Sequence, residues 1–418
     1  MGLTVPGGMS QILGMGLTWA EAGSRHLTMP TGFERIPWFR WIVALAVYFG
    51  LLPGVVAYLV WAERKVAGRF QDRIGPNRVG PFGLLQSIAD AIKLITKEVL
   101  VPADGDFWVH MIAPLLLLIS AFMTLAVIPI GAGVAAVNPP LGLLFAIALT
   151  SLSPLGVFLA GWSSRNKFSL LGAMRAVAQL VSYEVPQVLA TLPVVLWTGS
   201  LSLVAIFDRQ LDLGWFLFSP PGIVAFLVFM IASIAELNRA PFDLPEAESE
   251  IIAGFHTEYS GMRWSLFFLA EYLGMIGASS LATVMFLGGG TLPFLGDFPI
   301  NVFGTSSFFG WLATNLVLVT VFTLKVVGFI FVFFWVRATL PRMRVDRLMD
   351  FAWKVLIPLG IANILVAAIW YECVIRPASP RYLLGWLLTA PLVVGAVAAL
   401  FALYRAPRRA VRGMVVTP

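Results

Sequence analysis

Charge is what this chain has least of. Only 12% of its residues are Asp, Glu, Lys or Arg, against 59% that are apolar, whereas a soluble domain carries about 25% charged residues. The shortfall is local. Between Asp106 and Arg165 there is no Lys, Arg, Asp or Glu, a stretch long enough for two membrane spans at roughly 20 residues each. Cysteine is nearly absent as well. Cys373 stands alone, which excludes an internal disulfide and the several thiolates that hold an iron–sulfur cluster. Histidine is scarce, and His26, His110 and His256 are scattered, with no pair at helical spacing inside one apolar run. That argues against a haem protein of the cytochrome b kind.

What is present is a series of long apolar runs, and they predict an all-α integral membrane protein with about nine spans. The runs fall near Trp41–Trp61, Ile112–Ile130, Leu141–Gly161, Leu171–Trp197, Ile223–Glu236, Ser265–Leu287, Leu312–Val336, Val355–Tyr371 and Leu383–Tyr404. A helix in lipid satisfies its own backbone hydrogen bonds, so helices are the economical reading of such runs. The fifth is short and follows Pro220-Pro221-Gly222, so it needs residues beyond Glu236 to reach spanning length. Residues 1–38 read as an N-terminal extension without a signal-peptide pattern, residues 39–404 as one transmembrane domain, and 405–418 as a tail.

Basic residues orient the spans. The stretches 62–108, 162–175, 239–263, 337–354 and the tail after 404 hold 21 Lys/Arg, and those on the other side hold six. The expectation is a cytoplasmic C-terminus and an outside N-terminus. The net charge of +6 then follows from topology and calls for no nucleic acid.

The basic loops carry the information. Glu63-Arg64-Lys65 opens loop 62–108, and the Gly-Pro pairs around Asn77-Arg78 set turns. Leu85, Ile88, Ile92, Ile95 and Val99 then recur in steps of 3 and 4, while Gln86, Asp90, Lys93 and Lys97 do so on another face. That pattern predicts an amphipathic helix lying at the membrane interface. A solvated basic loop with a surface helix is the bland alternative.

Loop 236–263 breaks the basic rule. Glu236, Asp243, Glu246, Glu248, Glu250 and Glu258 fall within 23 residues, in a chain with 22 acids in all. Glu184 and Glu271 sit inside otherwise uncharged runs, where an ionised side chain costs a few kcal/mol or more. A row of such acids can hold and pass protons. Alternatively, they form ion pairs with Arg175, Arg239 or Arg263. Lys325, inside the seventh run, reads as a partner of Glu184 or Glu271, or as a relay element.

At these residues the sequence resembles the H subunit of proton-translocating NADH:quinone oxidoreductase, respiratory complex I. The resemblance spans roughly residues 40–375. It rests on Glu63-Arg64-Lys65, Gln71 to Gly83, Ala89-Asp90 with Lys93 and Lys97-Glu98, Gly161-Trp162, Ser182-Tyr183-Glu184, Ala235 to Gly261, Ala270-Glu271-Tyr272 and Trp335 to Arg342. Ser87, Phe168, Val345 and Leu237 depart from the family's usual Pro, Tyr, Tyr and Thr and leave the charged positions intact.

The resemblance implies a multi-pass subunit of the bacterial inner membrane with no redox cofactor of its own. Quinone would be its substrate, and the FMN and iron–sulfur clusters would sit in partner subunits of the hydrophilic arm. Small membrane subunits would be its other neighbours. It assigns Glu63, Arg64, Arg73, Asp90, Lys93, Arg337 and Arg342 to the quinone cavity. It assigns Glu184, Glu236, Glu246, Glu248, Glu258 and Glu271 to an acidic path for protons or charge. The rivals are a membrane subunit of a hydrogenase-type complex, against which the full pattern Gln71–Lys97 speaks, and a stand-alone transporter, for which no internal repeat is visible. A purely structural anchor leaves so many acids at membrane depth unexplained.

Overall fold

The computed structural model describes residues 50–131, 134–243, 253–293, 299, 308–376 and 382–405. Twelve helices account for most of them, and no strand occurs among the described residues. They are α1 (Leu52–Phe70), α2 (Gln86–Thr96), α3 (Phe107–Ala126), α4 (Gly142–Thr150), α5 (Ser153–Ser163), α6 (Lys167–Thr198), α7 (Leu203–Leu213), α8 (Pro220–Glu236), α9 (Gly261–Phe286), α10 (Phe308–Thr339), α11 (Val345–Ile375) and α12 (Tyr382–Arg405). Six are long and apolar enough to cross a membrane: α3, the α4–α5 pair, α6, α9, α10 and α11. The 32-residue α6 and α10 run about 48 Å at 1.5 Å per residue, well beyond a hydrocarbon core of about 30 Å.

The helices differ from the predicted runs in ways local chemistry explains. Helix α1 does not stop at Trp61. It continues through Glu63, Arg64 and Lys65 to Phe70, because nothing breaks it until the Gly-Pro turns; residues 41–49 and the extension 1–38 lie outside the described residues. The second run starts at Phe107, just past Asp106, and ends at Ala126, short of Pro129. The third is broken at Ser151-Leu152, with Pro154 in the first turn of α5, where its missing N–H is harmless. The fifth gains length at its start instead of its end. Pro220 and Pro221 open α8, Ser219 caps Gly222 N–H, and the helix stops at Glu236 after 17 residues. The expected ninth run forms α12. Helix α7, which falls between the fourth and fifth predicted runs, is amphipathic and capped by Ser202.

The predicted interfacial helix forms, but only to Thr96, whose hydroxyl donates back to the Ile92 carbonyl, so Lys97 and Val99 lie past its end. Leu85, Ile88, Ile92 and Ile95 all face outward, 47–67% exposed. The opposite face is pinned to α1 by Ser87 Oγ donating to the Ala57 carbonyl at 2.6 Å.

Small residues let the bundle pack closely. A Cβ on Gly172 of α6 would lie 2.7 Å from Gly254 Cα, and one on Gly161 of α5 2.3 Å from the Ala173 Cβ. Buried polar ties supplement this packing. Tyr183 of α6 donates to the Leu348 carbonyl at 3.0 Å, Trp197 to that of Ala367 at 3.1 Å, and Asn363 of α11 to that of Pro221 at 2.9 Å.

Candidate functional site

The functional side chains meet where the ends of α1, α8 and α10 converge beside α9. Helix α8 stops at Glu236, and Asn238 turns the chain through a left-handed backbone (φ 50°), a conformation Asn tolerates better than most residues. Gln179 of α6, fully buried, holds that turn by donating to the Ala235 and Phe242 carbonyls at 2.7 Å each. The result is to aim Arg239 into the protein.

There Arg239 Nη1 donates to both oxygens of Glu63, at 2.8 and 3.1 Å. Tyr272 Oη donates to Glu63 Oε2 at 2.6 Å, and Arg337 at the end of α10 donates to Oε1. The Arg239 guanidinium also lies over the Tyr272 ring, 4.6 Å from its centroid, and its Nη2 is 3.9 Å from Glu271 Oε2. Arg239 is only 5% exposed and Glu63 7%, so each charge exists there because the other does. Burial works against the Arg239 charge, but Glu271 and Glu63 override it and raise its pKa.

Glu271 also lines a cavity of about 110 Å³ between α3, α6, α8 and α9, large enough for several waters. Glu236, Gln187, Asn238 and His256 line it too, with the hydroxyls of Ser120, Thr124, Thr150 and Ser153, among apolar walls such as Leu117, Val157 and Phe267. Gln187 and Thr150 stand against the Glu236 carboxyl, with Glu184 close enough for its charge to be felt. Ser151, at the α4–α5 break, stands against Glu184. Burial pushes the His256 imidazole down to about 4, against the opposing pull of Asp243, so it is neutral near pH 7.

The other expected residues are distributed as follows. Arg64 and Asp90 pair at 2.6 Å, and Gln86 donates to the same carboxylate at 3.0 Å, clipping α2 to α1 beside the Glu63 cluster. Arg73, Lys93 and Arg342 are exposed and outside that cluster. Glu258 does not line the cavity; it accepts from Asn166 Nδ2 at 2.8 Å, and Asn166 in turn caps α6. Tyr259 beside it shares a hydrogen bond with Ser163 at 3.2 Å and stacks on His110 at 3.8 Å. Burial pushes its phenol up to about 12. Glu246 and Glu248 lie outside the described residues. Lys325 pairs with neither Glu184 nor Glu271. Its ammonium is taken up by backbone carbonyls of the turn after α9, which no sequence pattern announces.

Arg239, Tyr272 and His256 are the site residues that sequence reading passed over as primary candidates. The signal was there for Arg239, the one Lys or Arg between Glu236 and Glu258.

Residues 43–368 match the sequence profile of the family described as NADH dehydrogenase. Over 340 residues the chain is 47% identical to a protein of Dehalococcoides mccartyi strain CBDB1 named as the H subunit of NADH-quinone oxidoreductase, covering 81% of this chain and 89% of that relative. The chain belongs to this NADH dehydrogenase family. The protein of the same name from Geobacillus kaustophilus is 46% identical over 333 residues, covering 78% of this chain and 94% of its own. That of Leptospira biflexa is 45% identical over 346 residues, with 79% and 94% covered. The stretch the NADH dehydrogenase family matches contains every residue of the Glu63 cluster and of the cavity, whereas α12 lies beyond it.

Proposed function

We propose that the chain is a membrane subunit of a proton-pumping NADH:quinone oxidoreductase, where it forms much of the quinone chamber and the acidic path that couples quinone reduction to proton movement. One observation carries this reading. Glu271 belongs both to the buried Glu63–Arg239–Arg337 cluster and to the acid-lined cavity. A change of charge on the side of α1 and α2 is therefore felt directly by the first acid of the cavity.

On this reading the outward apolar stripe of α2, with Arg64 and Asp90 behind it, flanks the path a quinone takes from lipid. Its tail would run along Leu85, Ile88 and Ile92 and its polar head toward the charged residues. Electrons would arrive from an iron–sulfur cluster in a partner subunit, and FMN would sit further along in the same arm. Reduction to quinol takes up two protons. The altered charge would shift the balance of Glu63 and Glu271 around Arg239, and Glu271, Glu236 and Glu184 would pass it into the membrane domain.

The test sets the amount of assembled complex beside its quinone-reductase and proton-pumping rates. Glu236→Gln keeps size and hydrogen bonding but removes titration. It is expected to assemble normally with reductase and pumping lowered together. Normal turnover and pumping would sink the relay role. Mild-detergent purification that brings down a hydrogenase large subunit instead of the NADH-oxidising subunits would overturn the assignment of the complex.

A further inference from the structure

At the end of α9 remote from the Glu63 cluster, Lys325 of α10 is enclosed in an arrangement that the proposed function does not use. Its Nζ donates to the carbonyls of Leu287, Gly289 and Thr291 at 2.7, 2.8 and 2.6 Å. The Trp215 ring lies 4.1 Å from the same nitrogen. An ammonium has three donors, and all three are used. The acceptors belong to the turn that follows α9, at the end of that helix where the macrodipole places partial negative charge.

The turn is held in shape for this by contacts other than those to Lys325. Gly288 and Gly289 are left-handed (φ 62° and 56°). A Cβ at Gly289 would fall 2.2 Å from the Phe207 ring, and one at Gly290 2.3 Å from the Leu318 carbonyl. Gln210 of α7 accepts from Gly288 N–H at 2.9 Å and donates to the Val284 carbonyl at 2.7 Å. Thr291 Oγ1 donates to the Gly288 carbonyl at 2.7 Å and accepts from Trp215 Nε1 at 3.1 Å. The Gly288 carbonyl is thereby taken up by Thr291, while those of Leu287, Gly289 and Thr291 converge on Lys325 Nζ. Converging carbonyls beneath an aromatic face are what proteins use to hold a monovalent cation.

We propose that the Leu287–Thr291 turn and Trp215 form a monovalent-cation site whose resident is the chain's own Lys325 ammonium, which locks α10 to α9 and α7. The lysine satisfies three carbonyls of an irregular turn packed against α10, and buried backbone groups need such a partner. Removing the side chain back to Cβ leaves a vacant site with room for a small cation.

The experiment uses the full chain, purified with whatever subunits accompany it in mild detergent, and reads thermal midpoint and yield of intact assembly. Lys325→Ala is expected to lower the midpoint. Ammonium or methylammonium should restore it saturably, and N-methylglucamine at equal ionic strength should not. Lys325→Met fills the same space without charge, so it should be low and unresponsive, and the wild type should be flat to all three salts. Lys325→Ala as stable as wild type, lowered yet unresponsive to the small cations, or raised equally by all three salts would overturn the proposal. If Lys325→Ala does not accumulate, a double-mutant cycle of Trp215→Leu with Lys325→Met reads the same contact. Non-additive losses support the site, and additive ones overturn it.

Discussion

At the scale of single residues, the chain treats its buried charges in two ways. Glu63 answers Arg239, Arg337 and Tyr272 together, so deleting it takes from a buried guanidinium the carboxylate it hydrogen-bonds and leaves only Glu271 at 3.9 Å. Glu63→Ala is expected to cost roughly 3–5 kcal/mol and to reduce the amount of the chain in membranes. Glu63→Gln, which can still accept hydrogen bonds, should accumulate better while losing activity. Immunoblots of membranes beside reductase rates check this, and equal accumulation of the two variants would contradict it. Glu236 differs because Gln187, Thr150 and Glu184 surround its carboxyl, with no cation among them, which is why its amide is expected to spare assembly.

His256 gives a pH dependence. Its folded pKa is about 4 against an ordinary 6.5, so the unfolded chain binds the proton more readily. Stability from the neutral, buried ring is complete above about pH 6.5 and is lost as pH falls towards 4. Thermal midpoints taken from pH 7 down to 4.5 should fall for the wild type and fall less for His256→Gln; superimposable curves would remove His256 as the cause.

Among elements, position matters more than composition. Helix α2 turns its apolar residues outward, so a charge at Ile88 or Ile92 disturbs no core. Such variants should accumulate normally, keep NADH oxidation with a hydrophilic acceptor and lose quinone reduction. Equal loss of both activities would mean failed assembly instead. The contact of Gly172 with Gly254 is the reverse case, since any Cβ there meets backbone. Gly172→Val is expected to push the Gly254–His256 turn off α6 and displace His256 from the cavity. Protease sensitivity of the segment 243–260 should rise, and an unchanged digestion pattern would show that the turn yields without moving.

For the whole molecule, the basic-residue bias makes a directional claim. In a Cys373→Ser background, Val137→Cys is expected to react with an impermeant thiol reagent from outside. Arg344→Cys, whose side chain is 82% exposed, should react only from inside. The opposite labelling would invert the topology. Glu63, Arg239 and Arg337 meet in one cluster, so the segments that carry them lie at one end of the bundle.

The sequence by itself determined that the chain is helical and apolar, where most of its spans run, which loops hold the charge, and the family it belongs to. Those properties follow from composition, period and local motifs, which act within a few residues. Only the tertiary structure decided the partners. Glu63 and Arg239 are 176 residues apart, and Lys325 lies 34 to 38 residues from the carbonyls it holds. Sequence reading sought a carboxylate for Lys325 because charge seeks opposite charge. The fold supplied backbone oxygen instead, because a glycine turn at the end of α9 left carbonyls facing α10 that needed a donor.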